Sequence, residues 1–176
     1  LLAEQVTQKP YFQLERRYHG IPASLLWARG EDLILVGTNA GRAAWAPVQE
    51  LYVQPLDILK ARKTEIVSAA EATRTGQKCL AVSSDGASLP LTTAALPTGG
   101  PPANRSRTLR RSFEITGFLD EDAEGGGPVY AVSSATRLLP LSSDAFRKGI
   151  ASENSRPLRL FHLHRDERII ALTRLT

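Results

Sequence analysis

Short apolar runs alternate with turn-forming residues along the chain, and one such pattern recurs three times. The copies begin at Ile34, Cys79 and Val129 and align without a gap over eighteen positions, at offsets of 45 and 50 residues. Each copy predicts a β-hairpin with an apolar first strand, such as Leu33–Thr38, and a tight turn. The predicted second strand ends at Leu51, Leu96 or Phe146 in the three copies.

Glycine and proline refine this prediction. Gly41 and Gly86 occupy the same turn position in the first two copies, where a tight turn favours a positive φ. Pro90 and Pro140 fall in the second strands, and proline donates no ladder hydrogen bond, so we expect these strands to be edges or to carry bulges.

Further elements lie between the copies. Two segments, Ser68–Arg74 and Ser142–Ile150, have a weak helical pattern of one or two turns. The turn-rich segment Pro97–Ser112 predicts a surface loop, and the acidic, glycine-rich segment Asp120–Gly127 predicts a hairpin tip or a disordered loop. Alternating or apolar patterns predict additional strands over Tyr11–Leu14, Ser24–Trp27, Phe113–Phe118, Leu158–Leu163 and Arg168–Leu172.

A repeat of 45–50 residues built from short strands is typical of propeller-like arrays. We therefore predict an all-β, repeat-built fold with three to four hairpin-containing units in one domain spanning 1–176. The approximate units are 20–65, 66–112, 113–157 and a partial unit, 158–176. Trp27, Trp45 and Tyr130 are expected in the core.

Composition adds limits. The chain is 42% hydrophobic, enough for a core. It has no apolar run near the roughly 20 residues of a membrane span and no signal-peptide pattern, so we expect a cytoplasmic domain without membrane contact. The absence of methionine suggests a processed product or part of a longer protein. The single cysteine, Cys79, excludes an internal disulfide framework and is expected to be buried.

The hairpin pattern resembles that of a known family. The segment DLILVGTNAGRAAWAPVQEL, over residues 32–51, and the final segment RPLRLFHLHRDERIIALTRL are similar to blades in the C-terminal domain of bacterial type IIA topoisomerase A subunits, gyrase and topoisomerase IV. The resemblance implies a β-pinwheel that binds DNA on its basic rim. The gyrase-type basic glycine box is absent, which favours the topoisomerase IV type. The family's nucleophilic tyrosine lies in another domain, so the resemblance implies no catalytic residue.

Charge indicates where an anion would bind. The chain carries a formal net charge of +4, which permits an anionic partner. Four arginines fall within seven residues, with no acid among them, and could lie across phosphates. Two more recur after the turns of their copies, and one lies in the final segment. The predicted nucleic-acid-binding residues are Arg42, Arg105, Arg107, Arg110, Arg111, Arg137 and Arg159.

Two other functions stay open. A propeller-like or sandwich-like domain could bind an acidic protein within a larger assembly, in which case the arginines would scatter rather than converge on one rim. A degenerate enzyme domain is less favoured, because the sequence has no nucleophile signature or phosphate loop. His162 and His164 would share a strand face, and His19 would be needed for a three-histidine zinc site. We therefore predict no metal, no cofactor and no catalytic residue.

Overall fold

The computed structural model describes residues 24, 26, 28–51, 58–60, 62–99, 105–121, 127–152 and 156–174. The predicted strand Tyr11–Leu14 lies outside these residues, as do Leu25 and Trp27 of the predicted strand Ser24–Trp27. The elements, in chain order, are β1 (Leu33–Thr38), β2 (Arg42–Pro47), α1 (Val48–Leu51), β3 (Val67–Thr73), β4 (Lys78–Ser83), β5 (Ala87–Thr92), a 3₁₀ turn (Thr93–Ala95), β6 (Arg107–Thr108), β7 (Ile115–Asp120), β8 (Val129–Ser133), β9 (Leu138–Pro140), α2 (Ser143–Ala151), β10 (Leu158–Arg159) and β11 (Ile169–Arg174).

The three predicted hairpins are confirmed. They are the antiparallel pairs β1–β2, β4–β5 and β8–β9. Ile34, Cys79 and Val129 all lie in the first strand of their hairpin. Pro140 lies on an edge strand, and Pro90 lies on β5 beyond the two residues that pair with β10. Neither proline therefore interrupts a continuous ladder.

A third strand pairs with the first strand of each hairpin. It is β3 for β1, β7 for β4 and β11 for β8, always antiparallel. All three pairings contain a register shift at the same place, beside Thr38, Ser83 and Ser133. These three residues also align in the sequence repeat, so a β-bulge is part of the repeated unit.

The fourth strand of a sheet comes from the next unit. β6 follows the second hairpin but pairs with β2 of the first, and β10 follows the third hairpin but pairs with β5 of the second. The sheet orders are β3-β1-β2-β6, β10-β5-β4-β7 and β11-β8-β9. Consecutive units are therefore joined by backbone hydrogen bonds. The unit boundaries and the single-domain assignment stay predictions.

Each hairpin is followed by a helical turn, directly in the first two copies and after two residues in the third. α1, the 3₁₀ turn and α2 begin at Val48, Thr93 and Ser143, which are separated by the 45- and 50-residue offsets of the repeat. The predicted second strands are therefore too long, because Leu51 and Phe146 lie in helices and Leu96 caps the 3₁₀ turn.

The two predicted helical segments have different outcomes. The helix over Ser142–Ile150 is confirmed as α2, whose N-cap is Ser142, with its hydroxyl accepting a hydrogen bond from the Ala145 amide. The helix over Ser68–Arg74 is wrong. All of that segment except Arg74 lies in β3, where pairing with β1 overrides a weak local preference.

Three other boundaries also differ from prediction. β7 begins two residues later than the predicted strand Phe113–Phe118, and only Leu158–Arg159 of Leu158–Leu163 is strand. The segment Pro97–Ser112 is not loop throughout, because Arg107–Thr108 forms β6. Such two-residue strands carry too short an alternation to be recognised locally.

The sheets pack on each other through glycines. A Cβ on Gly37 of β1 would come within 2.7 Å of the side chains of Ile115 and Phe118, and one on Gly117 of β7 would meet Leu172 of β11. These positions let the first sheet approach the second, and the second approach the third. Trp45, expected in the core, is partly buried and packs against the core formed by the first two sheets.

The single cysteine is part of this core. Cys79 is 1% exposed, as predicted. Burial, together with the carboxylates of Asp120, Glu121 and Glu71, raises its pKa to about 11, against a weaker opposing effect of the Thr73 hydroxyl. The thiol therefore stays protonated at neutral pH and serves as a small apolar side chain.

Hairpin turns require a left-handed residue at one position. Gly41 and Gly86 have φ values of 73° and 81°, which confirms the predicted positive φ. The third copy places Thr136 there, with φ of 59°. In each turn this residue's amide donates to the carbonyl of the bulge residue three positions earlier, at 3.0 Å. A β-branched residue in this region is strained.

We expect Thr136→Gly to stabilise the protein by about 0.5–1 kcal/mol, because the strain removed exceeds the entropy that glycine adds to the unfolded chain. The reverse exchange, Gly41→Thr, should destabilise it by more than about 2 kcal/mol, since its Cβ would also meet the carbonyl oxygens of Arg110 and Phe113. Urea unfolding measures both. If both exchanges changed the free energy of unfolding in the same direction and by the same amount, the turn assignment would be contradicted.

Candidate nucleic-acid interface

The arginine-rich segment is anchored to the first sheet. Its backbone pairs with β2 through β6, and the Leu109 amide donates to the Gly41 carbonyl at 2.8 Å. The Arg107 guanidinium donates to the Ala95 carbonyl at 3.1 Å. The segment is therefore not the loop held clear of the core that the sequence suggests. Its four arginines are nevertheless all exposed: Arg105, Arg107, Arg110 and Arg111.

Arg42 lies beneath this segment rather than projecting from the surface as expected. Its side chain is 12% exposed. Its Nη1 is 2.5 Å from Oε2 of Glu65 and also donates to the Lys60 carbonyl at 3.2 Å. Its Nε donates to the hydroxyl of Ser106 at 2.9 Å. The three guanidinium nitrogens therefore donate to acceptors within the protein, namely Glu65, the Lys60 carbonyl and Ser106.

These contacts join two basic segments. Lys60 and Ser106 belong to segments 58–64 and 105–112, which contain no acidic residue. The first segment contributes cations that the sequence analysis overlooked, although the run Lys-Ala-Arg-Lys signals them. We call the exposed cations of both segments the basic surface: Lys60, Arg62, Lys63, Arg105, Arg107, Arg110 and Arg111.

Glu65 is the buried anion that holds this arrangement. Its Oε1 accepts from the Thr38 hydroxyl at 2.6 Å, and its Oε2 accepts from the Arg62 amide at 3.1 Å. Burial alone would raise the pKa of Glu65. The Thr38 hydroxyl, the Arg62 amide and Arg42 outweigh burial and hold its pKa below the ordinary value of 4.5.

The third unit repeats this ion pair. Arg137 aligns with Arg42, and its Nη1 is 2.8 Å from Oε2 of Glu167, whose side chain is 2% exposed. The His164 amide donates to the same oxygen at 2.8 Å. The Ser133 hydroxyl and this amide, with a smaller contribution from Arg137, keep the pKa of Glu167 below its ordinary value despite burial.

The second unit replaces the ion pair with apolar residues. Ala87 aligns with Arg42 and Arg137, and Phe113 precedes the first paired residue of its strand by two positions, as Glu65 and Glu167 do. Both Ala87 and Phe113 are buried in one core cluster. The two positions therefore change together, from charged to apolar.

A solved structure has a similar fold. The crystal structure of the C-terminal domain of DNA topoisomerase IV matches 81% of this chain and 45% of its own, with a TM-score of 0.52 and 17% sequence identity. This chain has the topoisomerase IV C-terminal-domain fold. The all-β, repeat-built, pinwheel-like class predicted from the sequence is thus confirmed.

The similarity to known proteins is limited to part of one domain and to low sequence identity. The chain spans less than half the length of that topoisomerase IV domain. The DNA gyrase A C-terminal domain is also similar, with a TM-score of 0.42 and 11% identity over 82% of this chain and 66% of that one. No protein-family model and no curated protein matches the chain.

The remaining two predicted arginines lie away from the first sheet, Arg159 in β10 and Arg137 between β8 and β9. Arg159 is exposed on β10, opposite Ala87 of the second sheet. Arg137 is half-buried in the third unit. Among the described residues, no recorded hydrogen bond or ion pair joins either side chain to the basic surface. DNA contact by all seven predicted arginines stays a prediction.

The two histidines of the final described segment lie at the surface. His162 and His164 are exposed, and His19 lies outside the described residues. Within the described ranges, no group of three His, Cys, Asp or Glu side chains could hold a metal ion. No helix in that part of the pinwheel is long and apolar enough to cross a membrane.

The structural role of the Arg42–Glu65 ion pair can be tested by replacing it with the apolar pair of the second unit. Arg42→Ala should destabilise the protein by about 3 kcal/mol, because Glu65 would stay buried without its cation. The double variant Arg42→Ala/Glu65→Phe installs the residues of the second unit and should recover more than half of this loss. Urea unfolding measures both variants. A double variant no more stable than Arg42→Ala would contradict a structural role for the pair.

Acid should weaken the pinwheel through the same carboxylates. The pKa values of Glu65 and Glu167 are lowered in the folded state, so the unfolded chain takes up protons first as the pH falls below about 5. Stability contributed by these groups is present above the ordinary value of 4.5 and lost as pH falls through the lowered pKa values. Urea midpoints between about pH 3 and pH 7 should fall less steeply for Glu65→Gln/Glu167→Gln. Identical pH profiles would contradict the assignment.

Proposed function

We propose that this chain is a non-catalytic accessory domain that binds duplex DNA through the basic surface. The observation that carries the proposal is the convergence of two acid-free segments, 58–64 and 105–112, on the buried Arg42–Glu65 pair. Seven exposed cations thereby lie on neighbouring segments, and the nearby Glu65 carboxylate is buried and already paired. The local field is therefore positive.

The physical chemistry of these groups suits a phosphate backbone. Duplex DNA carries about one negative charge per 1.7 Å of its axis, so neighbouring cations can meet several phosphates. Exposed guanidinium groups present paired donors that match phosphate oxygens. No base-reading element is required, and the affinity would be largely independent of sequence and strongly dependent on salt.

Arg42 has a positioning role in this proposal. Its hydrogen bonds to Lys60 and Ser106 hold the two basic segments side by side. We do not expect Arg42 itself to meet phosphate, because its guanidinium is buried in the pair with Glu65. Arg137 and Arg159 would add contacts only where the DNA extends to the other sheets.

The fold supports a role beside DNA. It is shared with the C-terminal domain of an enzyme whose name states that it acts on DNA. We infer that this chain works in the cytoplasm as part of a larger topoisomerase-like protein, whose other domains would supply the catalytic residues. A protein-binding module in a larger assembly is the alternative that the experiment below must separate.

We expect replacement of Arg105, Arg107, Arg110 and Arg111 by alanine to weaken DNA binding by at least tenfold near 100 mM salt. The loss should be equal for two duplexes of unrelated sequence. The slope of log affinity against log salt should fall by about three to four units, since each of the four lost phosphate contacts removes about 0.9. Fluorescence anisotropy across about 50–200 mM salt measures this. Urea unfolding should show little change, because each substitution is at the surface.

The matched control removes the same charge elsewhere. Alanine at Arg74, Lys148, Arg156 and Arg165 also replaces four exposed cations and should leave the salt slope nearly unchanged. Arg42→Ala/Glu65→Phe should lower the salt slope by less than the value of about 0.9 that one phosphate contact contributes. Equal losses in both fourfold variants would assign binding to net charge alone. No binding by the intact chain at low salt would exclude the DNA function and favour the protein-binding alternative.

A further inference from the structure

The third sheet is one strand shorter than the first two. Its order is β11-β8-β9, whereas β2 and β5, the counterparts of β9, pair with β6 and β10. Within the described ranges, no strand pairs with the outer side of β9. An open strand edge presents backbone donors and acceptors that can pair with another segment.

Exposure of equivalent residues shows what the fourth strand covers. Ala43 of β2 and Ser88 of β5 are 0% exposed, and they pair with Arg107 of β6 and Leu158 of β10. The equivalent residue of β9 is Leu138, which is 54% exposed. The most apolar of the three residues is thus the one left uncovered.

The ion pair differs in the same way. Arg42 is 12% exposed because Ser106, beside β6, covers it and accepts from its Nε. Arg137 keeps the equivalent ion pair but is 39% exposed. Its side chain has no recorded hydrogen bond to a residue in the position of Ser106 among those described. The guanidinium of Arg137 is therefore accessible to a hydroxyl side chain in the position that Ser106 occupies in the first unit.

The backbone groups on the outer side of β9 also lack partners among the described residues. The carbonyls of Gly41 and Gly86 accept from the amides of Leu109 and Leu160 at 2.8 and 2.9 Å. Thr136 holds the same turn position, and no described residue is recorded as donating to its carbonyl. The Ser133 amide donates to the Arg137 carbonyl, and the Leu141 amide to the Val129 carbonyl, so antiparallel alternation directs the amide and carbonyl of Leu138 outward.

We propose that the outer edge of β9 is a docking site for one extended strand from another repeat unit of the β6 type. The strand would lie antiparallel to β9 and pair with Leu138. It would place a hydroxyl side chain on Arg137 and, three residues later, a leucine amide on the Thr136 carbonyl, following the Ser-x-x-Leu pattern of Ser106 and Leu109. This is recognition by strand addition, and it does not depend on DNA binding.

A peptide can test this on the intact chain. The probe is the chain's own β6 segment, residues 104–111, added in trans at up to ~1 mM. We expect an NMR shift of the Leu138 amide and slower hydrogen exchange there, by about threefold or more. Two peptides serve as controls. A scrambled peptide of equal charge should not bind, and a peptide with Ser106→Ala should bind more weakly than the native peptide.

A chain variant removes the receiving group. Leu138→Pro deletes an outward amide on an edge strand, where proline is tolerated, and should abolish the peptide-induced shifts that the neighbouring Arg137 and Leu139 amides show in the wild-type chain, while leaving the β8 ladder intact. Equal effects of the native and scrambled peptides, or no change at Leu138 with the native peptide, would overturn the proposal. Concentration-dependent self-association that Leu138→Pro abolishes would assign the edge to a second copy and would also overturn it.

Discussion

Backbone pairing between successive units is the constraint on which this structure depends. A hairpin and its third strand leave the second strand of the hairpin open, and the next unit closes it through β6 or β10. This pairing buries Ala43 and Ser88 completely. It also fixes the arginine-rich segment on the first sheet. The position of the basic surface is therefore a consequence of how the units are joined.

The buried ion pair is the second device by which a unit is tied together. In the first unit, a bulge hydroxyl, a backbone amide and an arginine surround the buried Glu65, and in the third unit a backbone amide and an arginine hold the buried Glu167. The second unit uses Ala87 and Phe113 at the same positions. Buried ion pairs and apolar pairs of suitable volume can be of similar stability, so repeats can exchange one for the other. In the first unit, the charged version also holds two basic segments together.

Local sequence patterns predicted the hairpins well but not the connections between them. The first strand of each hairpin and the positive φ at Gly41 and Gly86 follow from short-range patterns of apolar residues and glycine. β6 and β10 contain two residues each, and their pairing with a distant strand leaves no periodic signal. The segment Ser68–Arg74 illustrates the converse, because pairing with β1 overrides its weak helical pattern.

The candidate site was predicted in part for the same reason. Exposure of the four arginines between 105 and 111 follows from a polar, acid-free segment. Arg42 was expected to project because it follows a turn, yet its partner Glu65 lies 23 residues away in sequence. No pattern within the eighteen aligned positions indicates that partner. Recurrence of an arginine in register thus marked a structural ion pair rather than a surface stripe.

The pairing of β2 with β6 also sets an order of events during synthesis. Arg42 is partnered with Thr108, 66 residues further along the chain. The first sheet therefore stays incomplete until nearly all of the second unit has been translated, and the second sheet waits in turn for β10. Closing such long segments costs entropy before it returns contacts, which slows folding. Each nascent unit thus carries an open strand edge for the time that its successor takes to emerge, and during this interval the chain is most exposed to aggregation.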